Sequence, residues 1–138
     1  MLGPKRAQAE AAVLEANATF YRAFSHADFA AMSRLWAEQA PVACFHPGGP
    51  VIVGRKSVLE SWKQILRAPV SMRCDKPMVH LLGEAAFVTC YEGNGDRAAH
   101  LACTNTFVLE DGAWRMVHHQ AGPLSNPIPK PAPPASVN

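Results

Sequence analysis

The sequence predicts an α+β fold, with helices packed on one face of a curved sheet of mixed, mainly antiparallel strands. Three observations carry this reading. Apolar residues recur at helical spacing in the first third of the chain and again around residue 60. From about residue 70 the period changes to two. The second half also holds two hairpin signals, "NGD" at 94–96 and "DG" at 111–112.

Each element follows in order. Pro4 suits the first turn of a helix, where its missing N–H costs nothing. Val13, Ala16, Phe20 and Phe24 then form one stripe, so the first helix runs from about Pro4 to Ser25. "SHAD" interrupts it, and Asp28 caps a second helix whose apolar face is Phe29, Met32, Leu35 and Trp36. "EQA" and Pro41 end that helix. "PVACF" reads as a short strand, "HPGGP" as a turn and "VIVG" as a second extended piece. "SVLE" has the pattern of a capping box, with Ser57 at the cap and Glu60 reaching back. A third helix with Val58, Leu59, Trp62, Ile65 and Leu66 on one stripe runs to about Arg67.

"VSMRCDKPMVHLLG" is one long strand in which Pro77 marks an edge or a bulge. "EAAFVTCYEG", "RAAHLACTNTFVLE" and "AWRMVHHQAG" complete an antiparallel meander. The final "PLSNPIPKPAPPASVN" carries too many prolines for helix or sheet and is expected to be extended and mobile. The expected division is one domain over residues 1–124 and a proline-rich tail over 125–138.

Composition narrows the function classes. Hydrophobic residues make up 49% and charged residues 17%, which fits one globular core. Thirteen Lys and Arg against eleven Asp and Glu give +2, too small an imbalance for a nucleic-acid partner. No segment reaches the length of a membrane span, and the N-terminus has no apolar signal region, so the expected location is the cytoplasm. The four cysteines, Cys44, Cys74, Cys90 and Cys103, show no C-x-x-C spacing and are expected as buried, reduced thiols. "HPGGP" lacks the Lys-Ser/Thr of a phosphate loop.

The stretches "FYRAFSHADFAAMSRLWAEQAPVACFHPGGPVIVGRKSVLESW", "HLLGEAAFVTCYE" and "TNTFVLEDGAWRMVHHQAG" resemble the nuclear transport factor 2-like superfamily, also called SnoaL-like or ketosteroid isomerase-like. The closing pattern "DG-x-W-x-x-V-H" is also similar to the association domain of calcium/calmodulin-dependent protein kinase II. The resemblance spans roughly residues 8–124. It implies a cone-like fold, with three helices on the concave face of the sheet enclosing a pocket. It also implies a homodimer that packs convex sheet faces together.

The resemblance further implies site residues. Ketosteroid isomerases carry a carboxylate base late in the first strand before a proline; "ACFHP" puts His46 there, or Cys44 without a small insertion. Their protonated aspartic acid on the penultimate strand falls on Asn105. Their helix-one tyrosine falls on Phe20, with Tyr21 beside it. Steroid isomerisation by that carboxylate pair is therefore not expected. The kinase domain's pocket arginines fall on Asn105 and Ala121, which weakens any carry-over of its anion binding. On the last strand the same register turns Val117, His119 and Ala121 to the pocket. It turns Trp114, Met116, His118 and Gln120 to the convex face.

Two functional expectations result. In the first, His46 and His119 work as a general acid–base pair, with Asn105 polarising a carbonyl. That suits a cofactor-independent isomerase or lyase acting on a small apolar carbonyl compound. Phe20, Tyr21, Trp36, Trp62, Cys103 and Val117 would line the pocket, with plain core packing as the alternative for the aromatic residues. In the second, the chain is a non-catalytic homodimeric binding or interaction module, joined through Trp114, Met116 and His118. No metal is expected, because no acidic residue stands at ligand spacing near His46 or His119.

Overall fold

The computed structural model describes residues 3–133. Helix α1 spans Pro4–Ser25 and α2 spans Phe29–Leu35. Strands β1 (Ala43–Phe45) and β2 (Val51–Val53) precede α3 (Arg55–Ile65). The meander is β3 (Met72–Leu82), β4 (Ala85–Asn94), β5 (Ala99–Glu110) and β6 (Ala113–Ile128). The strands form one open six-stranded sheet in the order β2-β1-β6-β5-β4-β3. Among the described strands only β1 and β6 pair in parallel, so the sheet is mixed and mainly antiparallel, as expected.

The helices follow their stripes. In α1 the residues Val13, Ala16, Asn17, Phe20, Tyr21 and Ala23 are buried, and the helix lies against β3, β4 and β6. Asp28 caps α2, its carboxylate accepting from the Ala31 amide at 3.0 Å. The expected capping box of α3 does not form. The helix starts at Arg55 behind Gly54, whose φ of +91° is open to glycine and strained for other residues. Ser57 and Glu60 therefore sit inside the helix and exposed, not at its cap.

Three features of the sheet position the site. Strand β3 is an edge strand, and its register shifts between Asp75 and Met78, so Pro77 does sit in a bulge. Asp111 and Gly112 both have positive φ, the geometry of a tight two-residue hairpin turn. Strand β6 carries a second irregularity: Thr106 faces His118 while Phe107 faces Met116, leaving Val117 as the extra residue.

That bulge reverses the expected facing of the start of β6. Met116 is 0% exposed beneath the helices, and Trp114 packs against the same core. Neither belongs to a convex surface. Beyond the bulge the alternation holds, with His119 and Ala121 buried and Gln120 exposed. The sheet also outlasts the expected domain end. β6 runs through Pro123 to Ile128 and still pairs with β5, Leu101 with Pro123 and Ala99 with Ile128. β1 covers only His118, His119 and Gln120, so the prolines fall where β6 has a free edge and need no ladder N–H there. Residues 134–138 of the expected tail lie outside the described residues.

Candidate functional site

The concave face of the sheet presents Val88, Cys90 and Glu92 from β4, Cys103, Asn105 and Phe107 from β5, and His119 and Ala121 from β6. Alternation along β4 puts Glu92 on the same side as Ala86, Val88 and Cys90, so a carboxyl group is carried into the core. It meets α1 there. The Tyr21 hydroxyl donates to Glu92 Oε2 at 2.6 Å and lies 3.3 Å from Cys90 Sγ and 3.4 Å from Cys103 Sγ.

Asn105 joins the strands to the helix. Its amide Nδ2 donates to Asn17 Oδ1 at 2.8 Å and to Tyr21 Oη at 3.1 Å. Its Oδ1 is therefore an acceptor, and it lies 2.6 Å from His119 Nδ1. Nδ1 thus carries the proton, and the lone pair of the neutral ring is on Nε2. Among the described residues Nε2 has no hydrogen-bond partner. The result is a continuous buried chain, His119 to Asn105 to Tyr21 to Glu92.

Burial sets the protonation states. It pushes the Glu92 carboxyl up to about 7, against the Tyr21 hydrogen bond, which favours the ionised form. It lowers His119 to about 3, helped by the nearby imidazoles of His46 and His118. Tyr21 is held well above its ordinary value by burial and then by Glu92. Near neutral pH the cluster holds a neutral imidazole, a neutral phenol and a carboxyl close to its midpoint.

The sequence-predicted residues divide into three groups. Tyr21, Asn105, His119 and Cys103 meet in the network. Phe20, not Tyr21, is fully buried packing, with its ring 4.9 Å from His119. Trp62 and Trp36 are core as well, at 0% and 1% exposure, with indole N–H groups that have no hydrogen-bond partner among the described residues. Because Phe20, Trp62 and Asn105 are 0% exposed, they border no void large enough for water, so the space beneath the helices is filled at that point. Val117 is a half-buried bulge residue.

His46 stands apart. Its Nε2 is 2.9 Å from Ser61 Oγ, and Ser61 gives its own proton to the Val58 carbonyl, so His46 Nε2 is the donor. No hydrogen bond joins His46 to His119. The indole of Trp62 lies against both rings, at 4.9 and 5.7 Å between centroids. Burial lowers the pKa of His46 too. The expected histidine pair is thus two separate side chains on one tryptophan.

Sequence reasoning missed Glu92 and Asn17. Glu92 had a readable signal, an acidic residue on the apolar parity of an alternating strand. Asn17 is polar on the buried stripe of α1, a signal of the same kind. A groove of about 510 Å³ between α1 and β3 has Leu14, Asn17, Tyr21, Met72, Cys74 and Pro77 in its walls, and it meets the network at Asn17 and Tyr21. A second depression of about 690 Å³ lies on the convex face, bordered by Met78, Thr89, Tyr91, Ala102, Thr104 and Gln120. All four cysteines are free thiols, and Cys74 is only half-buried. No helix among the described residues is long and apolar enough to cross a membrane.

Comparison with known proteins places this geometry. The chain is 26% identical over 112 residues to the F-box protein SKIP8 of Arabidopsis thaliana, a match covering 80% of this chain and 48% of that protein. The chain thus spans about half the length of that curated relative. It superposes on a candidate dehydratase of the NTF2-like family from Streptomyces avermitilis with a TM-score of 0.79 and 29% identity, covering 88% of this chain and 99% of the other. It also superposes on a candidate calcium/calmodulin-dependent protein kinase type II association domain from Thiobacillus denitrificans with a TM-score of 0.67 and 28% identity, covering 80% and 93%. The model of the SnoaL-like domain matches residues 13–127, and the chain belongs to that family.

Proposed function

We propose that this protein binds a small, largely apolar carbonyl compound through the α1–β3 groove and acts on it by acid–base chemistry, as an isomerase or dehydratase. One observation carries the reading: a buried carboxyl, Glu92, poised near neutrality and hydrogen-bonded to Tyr21, whose side chain also lines the groove. A group that titrates near the working pH can take a proton from the carbon beside a carbonyl and return it elsewhere. Tyr21 Oη–H, turned from Glu92 to the substrate oxygen, would stabilise the enolate charge, with Asn105 Nδ2–H supporting the phenol oxygen from behind at 3.1 Å. His119 is a positioning residue in this scheme, since its Nδ1–H fixes the orientation of the Asn105 amide. The groove volume lies within the ordinary range for small-molecule sites.

The test is solvent exchange. A panel of apolar ketones incubated with the metal-free protein in deuterated buffer should lose the NMR signal of the hydrogen beside the carbonyl for the ligand that fits. Glu92→Gln should slow that exchange by roughly 10²-fold or more, while His46→Ala should leave it close to wild type. Exchange at the buffer rate across the panel would rule the reading out.

A second reading, a homodimer through the convex face, is favoured by the depression there and by Met78, which is 61% exposed at its rim. Similarity to an association domain supports it. Thr104, in that depression, replaces Trp114 and Met116 as the residue to change. Light scattering should give a dimer mass for the wild type and a monomer mass for Thr104→Arg. A wild-type monomer would end this reading.

A further inference from the structure

The sheet gathers three different metal-ligating side chains that the acid–base reading does not need together. Glu92 from β4, Cys103 from β5 and His119 from β6 are all buried, and their ligand atoms lie within 4.8 Å of one another. We propose that Glu92, Cys103 and His119 form a binding site for a thiophilic divalent cation of the zinc class.

Geometry is the first argument. Zinc–sulfur and zinc–nitrogen bonds of ~2.3 and ~2.0 Å at a tetrahedral angle hold the two donors about 3.5 Å apart. Cys103 Sγ and His119 Nδ1 are separated by 3.6 Å. Glu92 has a carboxylate oxygen within 4.8 Å of both donors, and its flexible side chain can close the remaining distance. Asn105 Oδ1 stands 3.4 Å from Cys103 Sγ and 2.6 Å from His119 Nδ1, and would have to draw back from the imidazole to serve as a neutral fourth donor.

Charge is the second argument. A thiolate and a carboxylate together offset a divalent cation, so the buried assembly has no net charge to desolvate. With no cation present the Cys103 thiol donates its proton to Asn105 Oδ1 at 3.4 Å. Binding releases that thiol proton, and any proton on Glu92, to the buffer. The His119 proton moves from Nδ1 to Nε2, the nitrogen without a partner, which frees the Nδ1 lone pair for the metal. A mixed sulfur and imidazole set selects zinc over magnesium or calcium.

Access is the third argument. Cys74 lines the groove, Cys90 stands directly opposite Cys103 across β4 and β5, and Cys74 lies opposite Glu92 across β3 and β4. Soft donors therefore run from the groove wall to the site. The cation and the proposed substrate chemistry compete for Glu92, so the loaded form would be closed to acid–base work.

The test uses the full chain, stripped with a chelator and titrated with Co²⁺. The wild type should bind one equivalent, giving a near-ultraviolet thiolate-to-cobalt band that Zn²⁺ abolishes. Cys103→Ser should lose the band, whereas Cys44→Ser, on β1, should keep it. Glu92→Gln retains an acceptor for Tyr21 and should bind cobalt at least roughly tenfold more weakly, an arm that decides the matter if Cys103→Ser does not fold. No band in the wild type, a band retained in folded Cys103→Ser, or unchanged affinity in Glu92→Gln overturns the proposal. Each readout is binding, so it is independent of the solvent exchange that tests the acid–base reading.

Discussion

Replacing Glu92 with glutamine is expected to stabilise the protein by about 3 kcal/mol at pH 8 and to change little at pH 4. The folded carboxyl titrates at about 7 and the unfolded one near 4.5. Between those values the folded chain keeps a proton that the unfolded chain has lost. Stability therefore falls as pH rises through this window, by about 1.4 kcal/mol per unit, and levels off above it. Glutamine has no proton to lose and can still accept from Tyr21 through its carbonyl oxygen.

His119 acts in the opposite direction. Its folded pKa of about 3 lies below its ordinary 6.5, so the unfolded chain takes up a proton first as pH falls. Its contribution is complete above 6.5 and is lost progressively down to about 3. From pH 4.5 to 6.5 the two slopes oppose each other, and the wild type should be nearly flat. Glu92→Gln unmasks the histidine slope, so its stability should climb across the same window. Urea unfolding from pH 4 to 8 measures both curves. If the difference between variant and wild type were the same at every pH, Glu92 would not be the buried titrating group described here.

Much of the architecture was legible because it is local. The α1 stripe, the Asp28 cap, the Pro77 bulge and both hairpin signals depend on residues within a turn or a strand of each other, and each stands where its pattern put it. The misses have physical causes. Ser57 and Glu60 have capping-box chemistry, but Gly54 opens the helix earlier through a backbone conformation that other residues rarely adopt. Val117 is ordinary in sequence, yet as the extra residue of a bulge it moves Trp114 and Met116 from the outer face to the core. Pro123 and Pro127 argued for a tail, but β1 is short, which leaves β6 a free edge that tolerates them.

The site was legible only in part. Asn105, His119, Tyr21 and Cys103 were all singled out, yet their joining depends on α1 crossing β4 and β5, with partners 71 to 88 residues apart. The choice between Phe20 and Tyr21 turned on one residue of helix rotation. Family register favoured His46 as the base, whereas the tertiary packing sets it against Trp62 and hydrogen-bonds it to Ser61, outside the network.

Asn105 is the junction on which the network depends, and Asn105→Ala is expected to cost about 3–5 kcal/mol. The change leaves His119 Nδ1–H with only Cys103 Sγ at 3.6 Å and takes the donor from Asn17 Oδ1 and Tyr21 Oη, all on buried residues. A stranded buried polar group costs about 1–3 kcal/mol, so this sum exceeds the loss of packing from one short side chain. The same logic makes the cost depend on the partner. In a His119→Leu background the imidazole N–H is already gone, and Asn105→Ala should cost at least about 1 kcal/mol less than in the wild type. A double-mutant cycle by urea unfolding at pH 7 reads that coupling directly. Strict additivity would mean that His119 and Asn105 are merely neighbours, and the orientation of the Asn105 amide toward Tyr21 would then need another cause.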